Sequence, residues 1–391
     1  MKRSGRFIAG FALASFMFAA PLSAQDPIEG EGSMQVGNAT VTVGAGAAIL
    51  TLPDVPSLIT LNVGAGGGRP NPFISGFKFS DDFGDEIGWN VNGSIEVPMG
   101  ANKTISLSGF WANIDDEDSA RCDDPGGTLS CFWFELVDDP AVRNGFSATG
   151  NRESVISKAE REVDQWGVSL EVKQQLNSGA MGVTQAPPRH FLAVGADVRG
   201  IDQDLDANLI VIVEEPRVAG ATYTEDLDTH YYGAYAAWGG DFPRLLIGGL
   251  WERWGLHSTF QLRGGIYYAD TDYDGRIVDQ QPADDFNISS ALSLSDDKVA
   301  FIGGLVMETS KRIGRRATLS LRSEYEYYSY VPRMAYNQLD IALDVAPIPD
   351  GVAGAGGQVG TVINDDDAFS MRTSLRLTIK LGPDSVMEPL K

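Results

Sequence analysis

One acidic stretch has the spacing of a calcium-binding loop. Residues 270–275 read Asp-Thr-Asp-Tyr-Asp-Gly, and alternating carboxylates followed by glycine open loops that hold Ca²⁺ through oxygen ligands. The twelfth position is Gln281 instead of the glutamate that an EF-hand requires, so only a looser calcium site stays a hypothesis. Its candidate ligands are Asp270, Asp272 and Asp274. The alternative, which we favour for this stretch and for residues 202–206, is a strand face that carries acids beyond a membrane into water.

Histidine chemistry is sparse in this chain. It has three histidines, of which only His230, next but one to Asp228, suggests a hydrolytic site at the rim of a fold. An Asp-x-His pair without an identifiable nucleophile is weak support for catalysis, so the sequence predicts that the protein is not an enzyme. The net charge of −23 and a pI near 4.4 argue against nucleic-acid binding, which needs a basic surface.

The two cysteines, Cys122 and Cys131, bracket a short loop. In an exported protein the default expectation is a disulfide, and closing so small a loop contributes about 2–3 kcal/mol in the chain-entropy model. A metal pair or a catalytic thiol is the less favoured alternative, since no histidine lies nearby in sequence.

Elements that position these residues are predicted by strict alternation of side-chain character. In residues 371–381, Met-Arg-Thr-Ser-Leu-Arg-Leu-Thr-Ile-Lys-Leu, one strand face is nearly all apolar and the other cationic or hydroxylic. About ten such residues suit a tilted transmembrane strand. A strand of a soluble sheet that has one face in water shows the same alternation. The pattern recurs in 87–97, 104–112, 166–173, 260–268 and 317–327, and more weakly in 190–200, 229–239 and 297–309.

The connections between these segments alternate in length. Short turns are predicted at 98–103 and 310–316, and long acidic loops at 113–161, 201–228, 271–296 and 331–366. Short turns at one end and long loops at the other are typical of outer-membrane barrels. We also expect an aromatic girdle near the outer strand ends, since rings gather at membrane interfaces. Its predicted members are Trp89, Trp111, Trp166, Tyr231, Tyr232, Tyr267, Tyr268, Tyr325 and Tyr327.

The number of strands before Ile87 is less well determined by the pattern. One strand near 39–51 gives ten in total, and two more at 57–65 and 72–80 give twelve. We predict an all-β, antiparallel transmembrane barrel of twelve strands, with ten as the alternative, because even numbers are the rule for bacterial single-chain barrels.

On these alternating segments, the chain resembles Gram-negative outer-membrane β-barrel proteins of the porin-like class. The resemblance covers nearly all of the mature chain and rests on pattern, without a family-specific motif. It implies short periplasmic turns, extracellular acidic loops, and outer-membrane lipid and lipopolysaccharide as surroundings. One departure is the last strand, which ends at Leu381 where such proteins often have an aromatic residue that the assembly machinery reads.

The chain divides into three predicted segments. Lys2 and Arg3, an apolar stretch over 7–20 and a small-residue site ending at Ala24 are typical of a cleaved secretory signal. We therefore predict a signal peptide over 1–24, a barrel over 25–381 and a periplasmic tail over 382–391, in the cell outer membrane.

Charged residues of both signs share the predicted inner face of the barrel. The proposed lumen lining comprises Arg372, Arg376, Lys380, Arg322, Glu324, Glu326, Arg263, Arg199 and Glu171. Such residues line a polar channel or pair across a narrow lumen and plug it. The first functional hypothesis is a narrow porin-like channel for small polar solutes, with the stripe Arg372, Arg376 and Lys380 lacking a local counter-charge. The second is a structural or adhesin-like surface barrel that acts through its acidic loops. No cofactor is expected beyond the calcium hypothesis.

Overall fold

The computed structural model describes most of the chain after residue 38. The described residues are 39–53, 59–63, 73–77, 87–99, 102–123, 129–133, 154–176, 190–212, 218–242, 253–279, 290–335 and 361–381. Within these ranges, no helix has the length and apolarity needed to cross a bilayer. The predicted signal peptide and C-terminal tail lie outside them.

Ten antiparallel strands close into a barrel. In spatial order they are β1 (Thr40–Thr51), β13 (Val362–Lys380), β12 (Ala317–Ala335), β11 (Ser290–Arg312), β10 (Leu256–Asp279), β9 (Val218–Asp241), β8 (His190–Ile212), β7 (Ser154–Leu176), β5 (Lys103–Asp123) and β4 (Ile87–Pro98). The barrel prediction is confirmed with its alternative count of ten; twelve is wrong.

The two surplus strands exist, but they belong to a separate sheet. β2 (Ile59–Val63) pairs with β3 (Phe73–Phe77) and with β6 (Leu129–Trp133). Each has five residues, roughly half of the 9–11 that a tilted strand needs to cross a bilayer. They are therefore too short to be membrane-spanning strands of the barrel.

The barrel closes where the first strand meets the last. β1 pairs with β13 over its whole length, from Thr40 opposite Lys380 to Thr51 opposite Phe369, and the Leu381 amide donates to the Ala39 carbonyl at 2.7 Å. At this end the Met99 amide also donates to the Lys103 carbonyl at 2.8 Å, and residues 313–316 form a tight turn; we call it the turn end. The opposite end is the loop end.

Strands reach much farther towards the loop end than the sequence pattern predicted. β8 and β9 pair from His190 opposite Gly240 to Ile212 opposite Val218, so almost all of the predicted loop 201–228 is strand. The predicted loops 113–161, 271–296 and 331–366 are likewise partly strand. Because 23 or 24 residues are about twice what a bilayer needs, the barrel wall continues beyond the membrane.

An apolar band surrounds the outside of the barrel near the turn end. Exposed aliphatic side chains on it include Val43, Val91, Leu170, Leu192, Val194, Leu262, Ile266, Leu321, Leu375 and Ile379. Aromatic rings border it on the loop side, where Trp89 and Trp111 pack edge to face at 4.5 Å. Such a band with its girdle is the lipid-facing surface of a transmembrane barrel. Tyr231 and Tyr267, predicted for the girdle, are instead buried inside.

We expect an arginine in the middle of the band to oppose insertion. Val194 is 62% exposed, and Val194→Arg should lower the free energy of unfolding in lipid by about 2–4 kcal/mol. Denaturant titration of the barrel in lipid vesicles measures this. Thr224→Arg is the matched control, because Thr224 also faces outward but lies beyond the band. Equal costs at both positions would contradict the assigned membrane position.

Above the band, the wall separates into two parts. β11 pairs with β10 from Ser290 onward, but with β12 only from Ile302, opposite Tyr328. β12 and β13 continue together past a register shift between Tyr328 and Val331. The loop-end extension thus contains a sheet of β5, β7, β8, β9, β10 and β11 and a β12–β13 pair that forms no ladder with β11 there but contacts the sheet through side chains, as where Tyr231 donates to the Tyr330 carbonyl at 2.9 Å.

Candidate functional site

The barrel interior contains a cluster of charged side chains centred on Glu326. Arg199 donates to Glu326 at 2.8 Å and to Asp197 at 2.9 and 2.7 Å. Arg372 donates to Glu326 at 2.7 Å, and Arg263 contacts the same carboxylate. We call this cluster, together with Glu324, the ion-pair layer.

Contacts at this level join opposite walls of the barrel. β8 and β12 are four places apart in the ring of ten strands, yet Arg199 and Glu326 form an ion pair. β7 and β12 are five places apart, and Gln165 donates to the Tyr328 hydroxyl at 2.9 Å. Gln165 also accepts from Ser370 at 2.9 Å and Arg372 at 3.1 Å on β13. Side chains therefore bridge the lumen in more than one direction.

Arg372 is neutralised, contrary to the prediction of an isolated cationic stripe. It donates to Glu324 at 2.9 Å as well as to Glu326, and its guanidinium lies 3.5 Å from the centre of the Phe110 ring. β1 carries no counter-charge, but β13 has a second neighbour, β12, whose Glu324 stands directly opposite Arg372. The prediction was wrong because it considered only one of the two neighbouring strands.

An apolar layer covers the ion-pair layer on its loop side. The next inward-facing residue along β8 after Arg199 is Ile201, and along β12 after Glu326 it is Tyr328; both are fully buried. The cluster consists of Leu50, Leu52, Ile114, Val163, Ile201, Tyr231, Tyr267, Ala269, Ala300, Ile302, Tyr328, Tyr330, Val331 and Ala368. All of these residues are buried, and the Tyr328 hydroxyl accepts from Arg199 at 3.2 Å, so this apolar layer lies directly against the ion-pair layer.

On the turn side, the interior contains a polar cavity of about 430 Å³. Its lining includes Arg322 and Arg376, which belong to the predicted lumen face, and Glu308 on β11, which the prediction does not include. Many hydroxyl side chains complete the lining. Lys173, also in the lining, lies 3.7 Å from Glu171. Lys380, at the end of β13, is exposed. Of the predicted stripe, Arg372 thus belongs to the ion-pair layer, Arg376 to the cavity and Lys380 to the rim.

Outside the barrel, carboxylates form rows directly above the aromatic girdle. Asp164, Asp202, Asp228 and Asp272 stand opposite one another across β7 to β10. This agrees with the interpretation of the alternating acids as a strand face in water. The candidate calcium ligands Asp270, Asp272 and Asp274 lie on one strand face roughly 6–7 Å apart, and the described residues hold no group of three that could bind a metal ion. A calcium site stays a prediction without structural support.

We expect Asp202 to make folding stability depend on pH. Burial, followed by the neighbouring Asp228 carboxylate, raises the pKa of Asp202 to about 6, although the Trp166 indole donates to it at 3.2 Å. The ordinary pKa is about 3.9, so the folded protein keeps a proton that the unfolded chain releases. This contribution to stability is therefore present below pH 4 and lost as the pH rises to about 6. Denaturant titrations at pH 4 and pH 7.5 should show a smaller loss for Asp202→Asn than for wild type; equal losses would contradict the assignment.

The remaining predicted features are His230 and the two cysteines. His230 faces outward beside Trp166, with ring centres 5.7 Å apart, in the row below Asp228. The side chains of Cys122 and Cys131 lie outside the described residues, so their disulfide stays a prediction. Sequence reasoning missed Gln165 and Tyr328, whose inward orientation followed from strand parity but whose partners lie across the lumen.

Comparisons with known proteins assign no family to this chain. No family model matches the sequence, and no curated protein matches it. Among solved structures, it is similar to the outer membrane protease OmpT from Escherichia coli, at 9% identity and a TM-score of 0.41, over 89% of this chain and 98% of that one. It is also similar to a FadL homologue from Pseudomonas aeruginosa, at 10% identity and a TM-score of 0.22, over 89% and 90%. At these values neither resemblance carries an argument about function.

Proposed function

We propose that the protein is a closed outer-membrane β-barrel that acts as a structural or surface-interaction protein through its loop-end extension. The observation that carries the proposal is the bridged interior, where Arg199, Gln165 and Arg372 contact residues of distant strands. Barrels of about eight strands are filled by side chains and those of sixteen or more leave an open pore. A ten-stranded barrel with an ion-pair layer and an apolar layer belongs with the filled ones.

Two features of the extension support a surface role. Its strands carry rows of carboxylates into water on their outer face, which keeps an extended wall soluble. Its β11 residues 290–300 pair with β10 but, within the described residues, form no ladder with β12, whereas the Phe301 amide donates to the Ser329 hydroxyl at 2.8 Å. A strand edge with unpaired backbone groups is a surface on which another chain can add a strand.

Planar-bilayer recording tests whether the barrel is closed. Refolded wild-type protein should give no conductance steps, because an ion would have to cross both layers. Regular steps in the wild type would overturn the proposal of a closed barrel.

Cysteine labelling in intact cells tests the orientation. We expect a membrane-impermeant maleimide to label Ser293→Cys at the loop end and not Arg315→Cys at the turn end, both of which replace exposed side chains. The wild type, with Cys122 and Cys131, gives the background. The reverse pattern would place the extension in the periplasm.

The second candidate function is a narrow channel that opens in response to voltage. It is favoured by the polar cavity that reaches from the turn end towards the ion-pair layer. This proposal predicts voltage-induced steps that become more frequent in Arg199→Gln, which removes one bridge across the lumen. The absence of conductance steps in both proteins at all voltages would exclude this channel.

Outer-membrane lipid and lipopolysaccharide remain the proposed surroundings, in contact with the apolar band and the rows of carboxylates above it.

A further inference from the structure

The turn-end cavity contains two arginines that share one carboxylate. Glu308 Oε2 lies 3.4 Å from Arg376 Nη1 and 3.8 Å from Arg322 Nη1, so both guanidiniums lie around a single oxygen. Arg322 has a second partner, Glu324. Among the residues that the structure describes, Arg376 has only this long contact and a hydrogen bond to the Ser94 hydroxyl at 3.2 Å.

Arg376 is therefore incompletely satisfied although it is only 6% exposed. Its Nε is buried and has no hydrogen-bond partner among the described residues. Glu96 on β4 also acts on Arg376 electrostatically, but no ion pair joins them within the described residues. A buried cation with an unused donor costs free energy unless an acceptor reaches it.

The rest of the lining is chemically compatible with a small anionic solute. Hydroxyl side chains surround the arginines, among them Thr42 and Thr378, whose oxygens are 2.9 Å apart. Of the other charged groups in the lining, Lys173 is near Glu171 and His257 is 3.3 Å from Asp241, while Glu96 acts on Arg376 electrostatically. The planar guanidinium fork matches carboxylate and phosphate oxygens.

We propose that this cavity is a binding site for a small solute with an oxyanion group, a carboxylate or a phosphate, which enters from the turn end. Arg376 and Arg322 hold the oxyanion, and Glu308 is the internal acceptor that occupies them in its absence. The apolar layer closes the cavity towards the loop end, so the site binds without requiring conduction.

Calorimetric titration of the refolded full-length barrel in non-ionic detergent tests the site, with inorganic phosphate and succinate as separate probes. We expect saturable binding of at least one probe. Arg376→Gln should weaken binding at least about tenfold, since a charge-assisted hydrogen bond is lost. Glu308→Gln should tighten it severalfold, because the competing acceptor loses its charge. Arg333→Gln, which changes a half-buried arginine of the extension paired with Asp366, should leave it unchanged.

The opposite directions expected for the two cavity variants separate a built site from nonspecific attraction. Heat-modifiable migration on a gel shows which variants fold. If Arg376→Gln does not fold, Glu308→Gln decides: tighter binding supports the site, and unchanged or weaker binding overturns it. No saturable binding of either probe, or an equal loss in Arg333→Gln, also overturns it. A silent bilayer recording does not bear on this site, so the two proposals fail independently.

Discussion

We expect Glu326→Gln to lower the free energy of unfolding by about 3–5 kcal/mol, the cost typical of breaking a buried ion pair from one side. The Glu326 side chain is 1% exposed and contacts three guanidiniums, those of Arg199, Arg263 and Arg372. The neutral amide keeps the shape but leaves these cations without their shared counter-charge. Denaturant titration of the folded barrel in detergent measures the loss.

Asp366→Asn is the matched control for this substitution. Asp366 pairs with Arg333 at 3.6 Å in the exposed loop-end extension, where solvent screens the pair and its removal costs less than about 1 kcal/mol. A similar loss for both variants would show that the ion-pair layer does not stabilise the interior more than a surface pair does.

Gly46→Val should prevent normal closure of the barrel. A side-chain Cβ at Gly46 would lie 1.9 Å from the Thr373 carbonyl oxygen and 2.7 Å from the Ser374 Cα. Both atoms belong to the backbone of β13, which cannot rotate away as a side chain can. Overpacking typically costs 1–3 kcal/mol; here we expect more than about 3 kcal/mol and a large fall in the heat-modifiable fraction.

The control for this variant is its neighbour on the same strand. Ala47→Val places the same valine side chain on the outer face, where Ala47 is exposed, so the valine meets lipid and folding should be unaffected. If Gly46→Val folds as well as Ala47→Val, the close approach of β1 and β13 is not required for closure.

Parity along the strands made the inner and outer faces predictable. Adjacent aromatics such as Tyr231 and Tyr232 point to opposite faces of a strand, so only one of each pair could join the girdle. Tyr232 is in phase with Trp238 and faces outward, whereas Tyr231 is buried in the apolar layer. The same parity places Arg199, Arg263, Arg322, Glu324, Glu326 and Arg372 inside the barrel.

The strand count was not predictable in the same way. Residues 59–63 and 73–77 are extended, as their pattern suggested, but an extended pattern does not reveal which strand is the partner. The predicted segments 57–65 and 72–80 are each long enough to cross a bilayer, so their length did not argue against them, and only the structure gives strands of five residues. The acidic stretches had the converse problem, because their composition suggested loops although their alternation continued the strands.

By itself, the sequence determined that this chain forms an antiparallel transmembrane barrel and which side chains face its interior, because both follow from a period of two along each strand. Only the tertiary structure decided that the interior is bridged, that Arg372 is neutralised while Arg376 is left with an unused donor, and where the cavity lies. These features depend on contacts across the lumen, such as Arg199 with Glu326 and Gln165 with Tyr328. Strand number and stagger bring these residues to the same height, and neither quantity is encoded in the pattern of a single strand.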